Sequence, residues 1–230
     1  MRIGVVGDLH IPFTHPRYME FCSDIFAEWG VDRVHFVGDI VDNHAISRYD
    51  TNPDGYSAND EYARAVYEVK QWHDRFGPAT VCIGNHDDRH YRTAKAAGLP
   101  SAYVKQYAKL WGTPNWTWDT SFDIEGVYYE HGSTSGKTAA LNAVLNRRRS
   151  VVMGHTHTYA GVLWHTNDDG RAFGLNAGCG IDVRAYAFEY GKNMMPRPAL
   201  GCGIVIDGRY AFFEPMPCGR GEEYDRATIH

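Results

Sequence analysis

Three short apolar runs, all before residue 90, each end in a glycine followed at once by residues that can ligate a metal. They are Gly7-Asp8-Leu9-His10, Gly38-Asp39-Ile40-Val41-Asp42-Asn43 and Gly84-Asn85-His86-Asp87. The runs themselves, Ile3 to Val6, Val34 to Val37 and Ala79 to Ile83, have the length and β-branched content of buried strands. In extended chain, Asp8 and His10 lie two residues apart and project to one side. Between the runs, Pro16 to Trp29 carries a helical apolar face closed by Gly30, and Ser57 with Asp60 reads as the N-cap of a helix that runs to Gly77. Strand, helix, strand, helix, strand implies parallel pairing with right-handed crossovers, which puts ligand sites at the carboxyl ends of the strands. All three glycine-led clusters fall there.

The second half is richer in strands. Phe122 to Tyr129 alternates and reads as one strand, ending in Glu130-His131-Gly132. Thr138 to Leu145 reads as a helix, and Val151 to Met153 as a buried strand ending in Gly154-His155-Thr156-His157. Asp88 to Thr113 reads as a polar, aromatic-rich helical stretch and Trp111 to Trp118 as irregular. Alternation around Ala160–His165, Arg171–Leu175, Gly203–Asp207 and Tyr210–Glu214 indicates antiparallel sheet. No repeat or linker divides the chain. The expectation is one domain over residues 1–230, of α/β class, built as a four-layer α/β/β/α sandwich with two mixed β-sheets.

Composition narrows the function. A formal charge of -5 argues against a broad, unassisted grip on nucleic acid, which needs a basic surface. No apolar run approaches the ~18 residues of a membrane span. The first strand starts at Arg2 and leaves no room for a leader, so the expected location is cytoplasmic. The five cysteines, Cys22, Cys82, Cys179, Cys202 and Cys218, form no C-x-x-C pair and read as reduced, buried small hydrophobes rather than a thiolate zinc site. The 12 histidines carry the information in their placement.

Taken together, the five blocks between residues 7 and 157 resemble the calcineurin-like metallophosphoesterases, and in length the short, solitary versions found in bacteriophage and bacterial genomes. The resemblance implies a dinuclear site: Asp8, His10, Asp39 and His157 on one metal, Asp39, Asn85, His131 and His155 on the other, with Asp39 shared. It implies a metal-bridging hydroxide that attacks phosphorus, His86 as the acid that protonates the leaving oxygen, and Asp42 as the carboxylate that orients it. Two divalent cations ~3.5–4 Å apart clamp the attacking and leaving oxygens of a phosphate ester, and this mixed oxygen and imidazole set suits them. Manganese is the expected ion, with iron, zinc, nickel and cobalt also admitted. Asp87 reads as a structural residue of its turn.

One departure bears on substrate. Many family phosphatases carry arginine directly after the second block's last aspartate, where this chain has Asn43. The forked guanidinium that grips a phosphomonoester dianion is missing there, which favours a singly charged phosphodiester, in a nucleotide or short nucleic acid. Arg48, Arg89, Arg92 or Arg184 could replace it. A phosphomonoesterase on the same site is the alternative, and a non-catalytic protein-binding scaffold a weaker one; no protein partner is indicated. Expected substrate contacts are Asn43, Asn85, His44 and Arg89, with His90 also near a ligand block. Gly132 to Thr138 mimics a phosphate-binding loop but has three residues between its glycines where four are needed, so no ATP or GTP site is expected. Arg147-Arg148-Arg149 reads as a solvated helix end, and Tyr103, Tyr107 and Trp111 as core at helical spacing.

Overall fold

In β1 (Arg2–Val6) successive side chains serve two different cores. Ile3 and Val5 enter one and Val6 the other, so this strand is buried on both faces as a central parallel strand must be. The molecule is described from a computed structural model, which covers residues 1–48, 51–168, 170–182, 184 and 197–217. Cys218, His230 and the start of the tail at Met194 lie outside the described residues.

After β1 come α1 (Tyr18–Trp29), β2 (Arg33–Phe36), α2 (Ala58–Phe76) and β3 (Ala79–Cys82). Then follow α3 (Arg89–Ala96), α4 (Tyr107–Trp111), β4 (Trp116–Asp119), β5 (Ser121–Ile124) and β6 (Val127–Glu130). The rest is α5 (Ala139–Arg147), β7 (Val151–Met153), β8 (Gly161–Asn167), β9 (Gly170–Asn176), β10 (Gly201–Ile206) and β11 (Tyr210–Pro215). A six-stranded sheet runs β11-β10-β1-β2-β3-β4, and a five-stranded one β5-β6-β7-β9-β8. Both are mixed: β1 to β4 are parallel while β10 and β11 are antiparallel, and β6, β7 and β9 are parallel while β5 and β8 are antiparallel.

Three apolar clusters separate the layers. Phe21, Phe26, Val69, Trp72 and Trp111 from the helices meet Val6, Phe36 and Val81 on the outer face of the first sheet. Val5, Val37, Tyr129, Val152, Phe173 and Val205 fill the space between the sheets. Ala139 and Ala140 of α5 close on Met153 behind the second sheet. This is the expected α/β/β/α sandwich. Among the described residues, no helix is long and apolar enough to cross a membrane.

Three expectations need correction. Phe122 to Tyr129 is two strands: Glu125 and Gly126 both have positive φ, 52° and 77°, and form the tight turn of a β5–β6 hairpin. The supposedly irregular Trp116 begins β4, which pairs parallel with β3. The stretch Asp88 to Thr113 is broken into α3, a 3-10 turn (Ser101–Tyr103) and α4, because Gly98 takes φ 76° and Pro100 follows. Tyr103 is consequently 79% exposed rather than core, whereas Trp111 is buried and Tyr107 stacks on Trp118. The arginine run lies at the exposed end of α5 as expected, with Arg147 paired to Glu130 over the Tyr128 ring and Arg149 to Asp123.

One helix residue gives a pH test remote from the strand ends. Burial pushes the Glu68 carboxyl of α2 up to about 7, with Arg64 opposing. Its folded pKa exceeds its unfolded one, so it disfavours the fold as pH rises from the ordinary carboxylate range through 7. Glu68→Gln should raise Tm at pH 8 and leave it unchanged at pH 4; equal shifts at both would contradict this.

Candidate metal centre

The carboxyl ends of β1 and β2 are spliced through the main chain. Leu9 and His10 both donate N–H to the Asp39 carbonyl, at 3.0 and 2.9 Å, and Ile11 donates to Ile40. Side chains then tie in the remote loops: Asp39 Oδ1 accepts the His86 N–H at 2.7 Å, and Asp8 Oδ2 accepts the His155 N–H at 2.8 Å. These loops come so close that a Cβ at Gly84 would collide with Asp39 Oδ1, and one at Gly154 with Asp8 Oδ1. Glycine is needed there for approach rather than for backbone freedom. His10, Asp39, Asn43 and His155 instead hold left-handed backbone, with φ between 47° and 66°. Such strain costs ~1–3 kcal/mol per residue and gathers where a site dictates geometry. His10 is therefore not in extended chain; its turn aims the ring at His157.

The side chains form a continuous cluster. His157 Nε2 lies 2.9 Å from Asp8 Oδ2 and 3.2 Å from His10 Nε2, and His10 Nε2 lies 3.6 Å from Asp39 Oδ2. On the other side, His131 Nε2 is 3.2 Å from Asp39 Oδ2 and 3.0 Å from Asn85 Oδ1. His155 Nδ1 completes this half, 3.0 Å from Asn85 Oδ1 and 3.2 Å from His131 Nε2. Among the described residues three groups could hold a cation: Asp8-His10-Asp39-His157 and Asp39-His131-His155, which share Asp39, and His10-Asp42-His86, which adjoins the first through His10.

A family model for calcineurin-like phosphoesterases matches residues 1–183. The chain belongs to that family. No curated protein matches the sequence. Among solved structures, a metallophosphoesterase from Sphaerobacter thermophilus superposes with TM-score 0.51 and 17% identity, covering 99% of this chain and 91% of that one. Vacuolar protein sorting 29 from Cryptosporidium parvum gives 0.46 and 12%, over 93% and 96% of the two chains. The phosphoesterase YfcE from E. coli gives 0.38 and 16%, over 89% and 87%. Membership of the calcineurin-like phosphoesterases, with these His/Asp clusters, supports metal-dependent hydrolysis of phosphate esters.

The residues fit divalent ions on independent grounds. Ligand atoms ~2.0–2.2 Å from one ion stand roughly 3 Å from each other, which is the spacing here. Asp8 Oδ1 and Asp39 Oδ2 are buried and accept no hydrogen bond, although imidazole nitrogens stand 3.8 and 3.2 Å away. His10 donates Nδ1–H to Asp42 Oδ2 at 2.8 Å and His131 donates Nδ1–H to the Val37 carbonyl at 2.9 Å, which turns both Nε2 atoms toward the cluster. Burial alone would raise the Asp39 pKa and lower that of His131. Their attraction wins: Asp39 is held well below the carboxylate range and His131 is pushed up to about 10. A proton on His131 thus offsets the charge of the buried Asp39 carboxylate.

The remaining expected residues divide by what they touch. His86 donates Nδ1–H to the Asp42 carbonyl at 3.0 Å, while the Asp42 carboxylate, 3.5 Å from that nitrogen, is closer to His10. Asn43 donates its amide to the His86 carbonyl at 3.0 Å. Arg89 Nη1 donates to the Asp42 carbonyl and carboxylate at 2.9 and 3.2 Å, and Nη2 lies 3.3 Å from His86 Nε2. The His44 ring accepts the Asn52 N–H, and His90 donates Nδ1–H to the Asp87 carbonyl. Asp87 serves its turn, accepting N–H groups of Val41 and Gly84.

Glu61 escaped the sequence reading. From α2 it accepts the N–H groups of His44 at 2.6 Å and Ala45 at 2.7 Å, which fixes the loop carrying Asp42 and Asn43. In sequence it is one more acid in the first turn of a helix. Glu61→Ala strands both donors and should cost ~1–3 kcal/mol; a denaturation midpoint equal to wild type would contradict this anchoring.

Proposed function

We propose that the chain hydrolyses phosphodiesters, in a nucleotide or short nucleic acid, at a site for two divalent cations. Asp8, His10, Asp39 and His157 would hold one and Asp39, Asn85, His131 and His155 the other, with manganese the ion expected first. When bound, such ions supply Lewis acidity toward phosphoryl oxygens and lower the pKa of water. The chain's own residues do the rest. Asp42 and the Val37 carbonyl hold His10 and His131 in the tautomers that present Nε2. His86, with Nδ1–H committed to the Asp42 carbonyl, has Nε2 as the atom for proton donation to the departing oxygen.

The preference for a diester rests on Asn43 in place of an arginine, and one observation supports it: the four described arginines that could replace it already bond to protein groups. Arg89 serves Asp42 and the Asn43 carbonyl. Arg92 bonds the Asn85 carbonyl and pairs with Asp88, Arg48 bonds the Arg92 carbonyl, and Arg184 pairs with Asp182. The second negative charge of a monoester therefore meets guanidinium groups already partly committed to protein acceptors, whereas a diester carries one charge. With Mn²⁺, kcat/KM for bis-p-nitrophenyl phosphate should exceed that for p-nitrophenyl phosphate by tenfold or more. A preference for the monoester would reverse the assignment.

A further inference from the structure

Behind Asn43 lies a cavity of about 470 Å³, between the His44–Ile46 turn, the start of α2, α3 and the segment leading into α4. That volume falls in the roughly 300–1,000 Å³ range of small-molecule sites. Its walls include Tyr62, Tyr103, Leu99, Leu110 and Trp111, with Asn43 at the end next to the candidate centre. Asn43 is bonded to the main chain of His86, the residue assigned to meet the leaving oxygen, so cavity and centre share a wall.

The wall chemistry selects among occupants. Trp111 is 1% exposed, with its Nε1–H buried inside the wall and without an acceptor. The Tyr62 ring lies 5.7 Å from it, tilted by 46°. The one carboxylate in the wall, Glu61, is spent on two backbone N–H groups, so no free anion faces an incoming group. Aromatic and aliphatic surface favours a flat ring, and the polar side chains of Asn43, His90 and Lys105 in the wall favour a ring carrying polar atoms over plain hydrocarbon.

We propose that this cavity is the leaving-group subsite and takes a nucleobase-like heteroaromatic ring. The inference rests on the phosphodiesterase reading for its purpose, and on the cavity alone for its binding chemistry. Tyr103, 79% exposed at the rim, and Ala94, on α3 in the wall, are the positions to test. Neither belongs to the metal or proton-transfer set.

The test measures equilibrium binding of adenosine, with ribose as control, to the full chain in excess chelator by titration calorimetry. Adenosine should bind and ribose should not. Ala94→Trp, which fills the cavity, should weaken adenosine at least tenfold, and Tyr103→Ala by roughly fivefold or more, the loss of one stacking partner. Tyr103→Ala removes an exposed ring, so it guards against a misfolded Ala94→Trp. In the Mn²⁺-loaded protein, Ala94→Trp should also lower kcat/KM for bis-p-nitrophenyl phosphate about tenfold. Adenosine binding no tighter than ribose, or indifferent to both substitutions, overturns the subsite even if the diester is hydrolysed. Adenosine binding without any hydrolysis leaves the ring site standing and sinks the function it was assigned.

Discussion

Asp39→Ala should reduce kcat/KM for phosphate esters by on the order of 10³-fold or more, as expected when a shared ligand of two ions is removed. Asp39 is the side chain that links Asp8-His10-Asp39-His157 to Asp39-His131-His155: its Oδ2 lies 3.6 Å from His10 Nε2 and 3.2 Å from His131 Nε2. The loss has a second component. Asp39 Oδ1 accepts the His86 N–H, so the substitution also loosens the proposed acid. Asp39→Asn separates the two, because it keeps one oxygen for that N–H and loses the charge. The account expects both variants to be nearly inactive; Asn activity close to wild type would show that the charge at this position is dispensable. Thermal unfolding adds a check without turnover: Mn²⁺ should raise Tm of wild type through binding to the folded state, and do little for Asp39→Ala.

His86→Ala should cost ~10²–10⁴-fold in kcat, the usual worth of a positioned acid, but only where the leaving group needs a proton. The two substrate types therefore respond differently. An alkoxide leaving from a dinucleotide should show the full loss, whereas p-nitrophenolate, stable as an anion near neutrality, should show little. The main chain at residue 86 is pinned by Asn43 and Asp39 independently of the imidazole, so the variant should fold. Equal losses with both leaving groups would assign His86 to binding or metal support instead.

How much of this was legible in the chain follows from where the physics is local. Apolar runs closed by glycine and a ligand residue marked the ends of β1, β2, β3 and β7, because strand burial and a loop at the carboxyl end both leave signatures within ten residues. The β5–β6 hairpin was legible in principle. Apolar residues fall at 122 and 124, then at 127 and 129, so the alternation slips by one at Glu125-Gly126, and that slip is the turn. β4 was harder, since two tryptophans after a Pro-Asn step read equally as loop, and only parallel pairing with β3 decides it.

The long-range features left no such trace. Nothing around Glu61 says that its carboxylate caps a turn sixteen residues earlier, and nothing around Arg89 says that its guanidinium serves Asp42 rather than a substrate. The glycines at 84 and 154 look like turn formers, yet their φ angles are ordinary and the carboxylates of Asp39 and Asp8 are what exclude a side chain. Tyr103 looked like core because periodicity ignores the Gly98 and Pro100 that end the helix before it.

The most direct measurement is metal content by elemental analysis after loading with Mn²⁺ and exhaustive dialysis, on wild type and Asp39→Ala side by side. Two ions per wild-type chain are expected, with near-complete loss in the variant. Wild type retaining one ion or none, or the variant retaining both, would contradict a dinuclear centre built on Asp39.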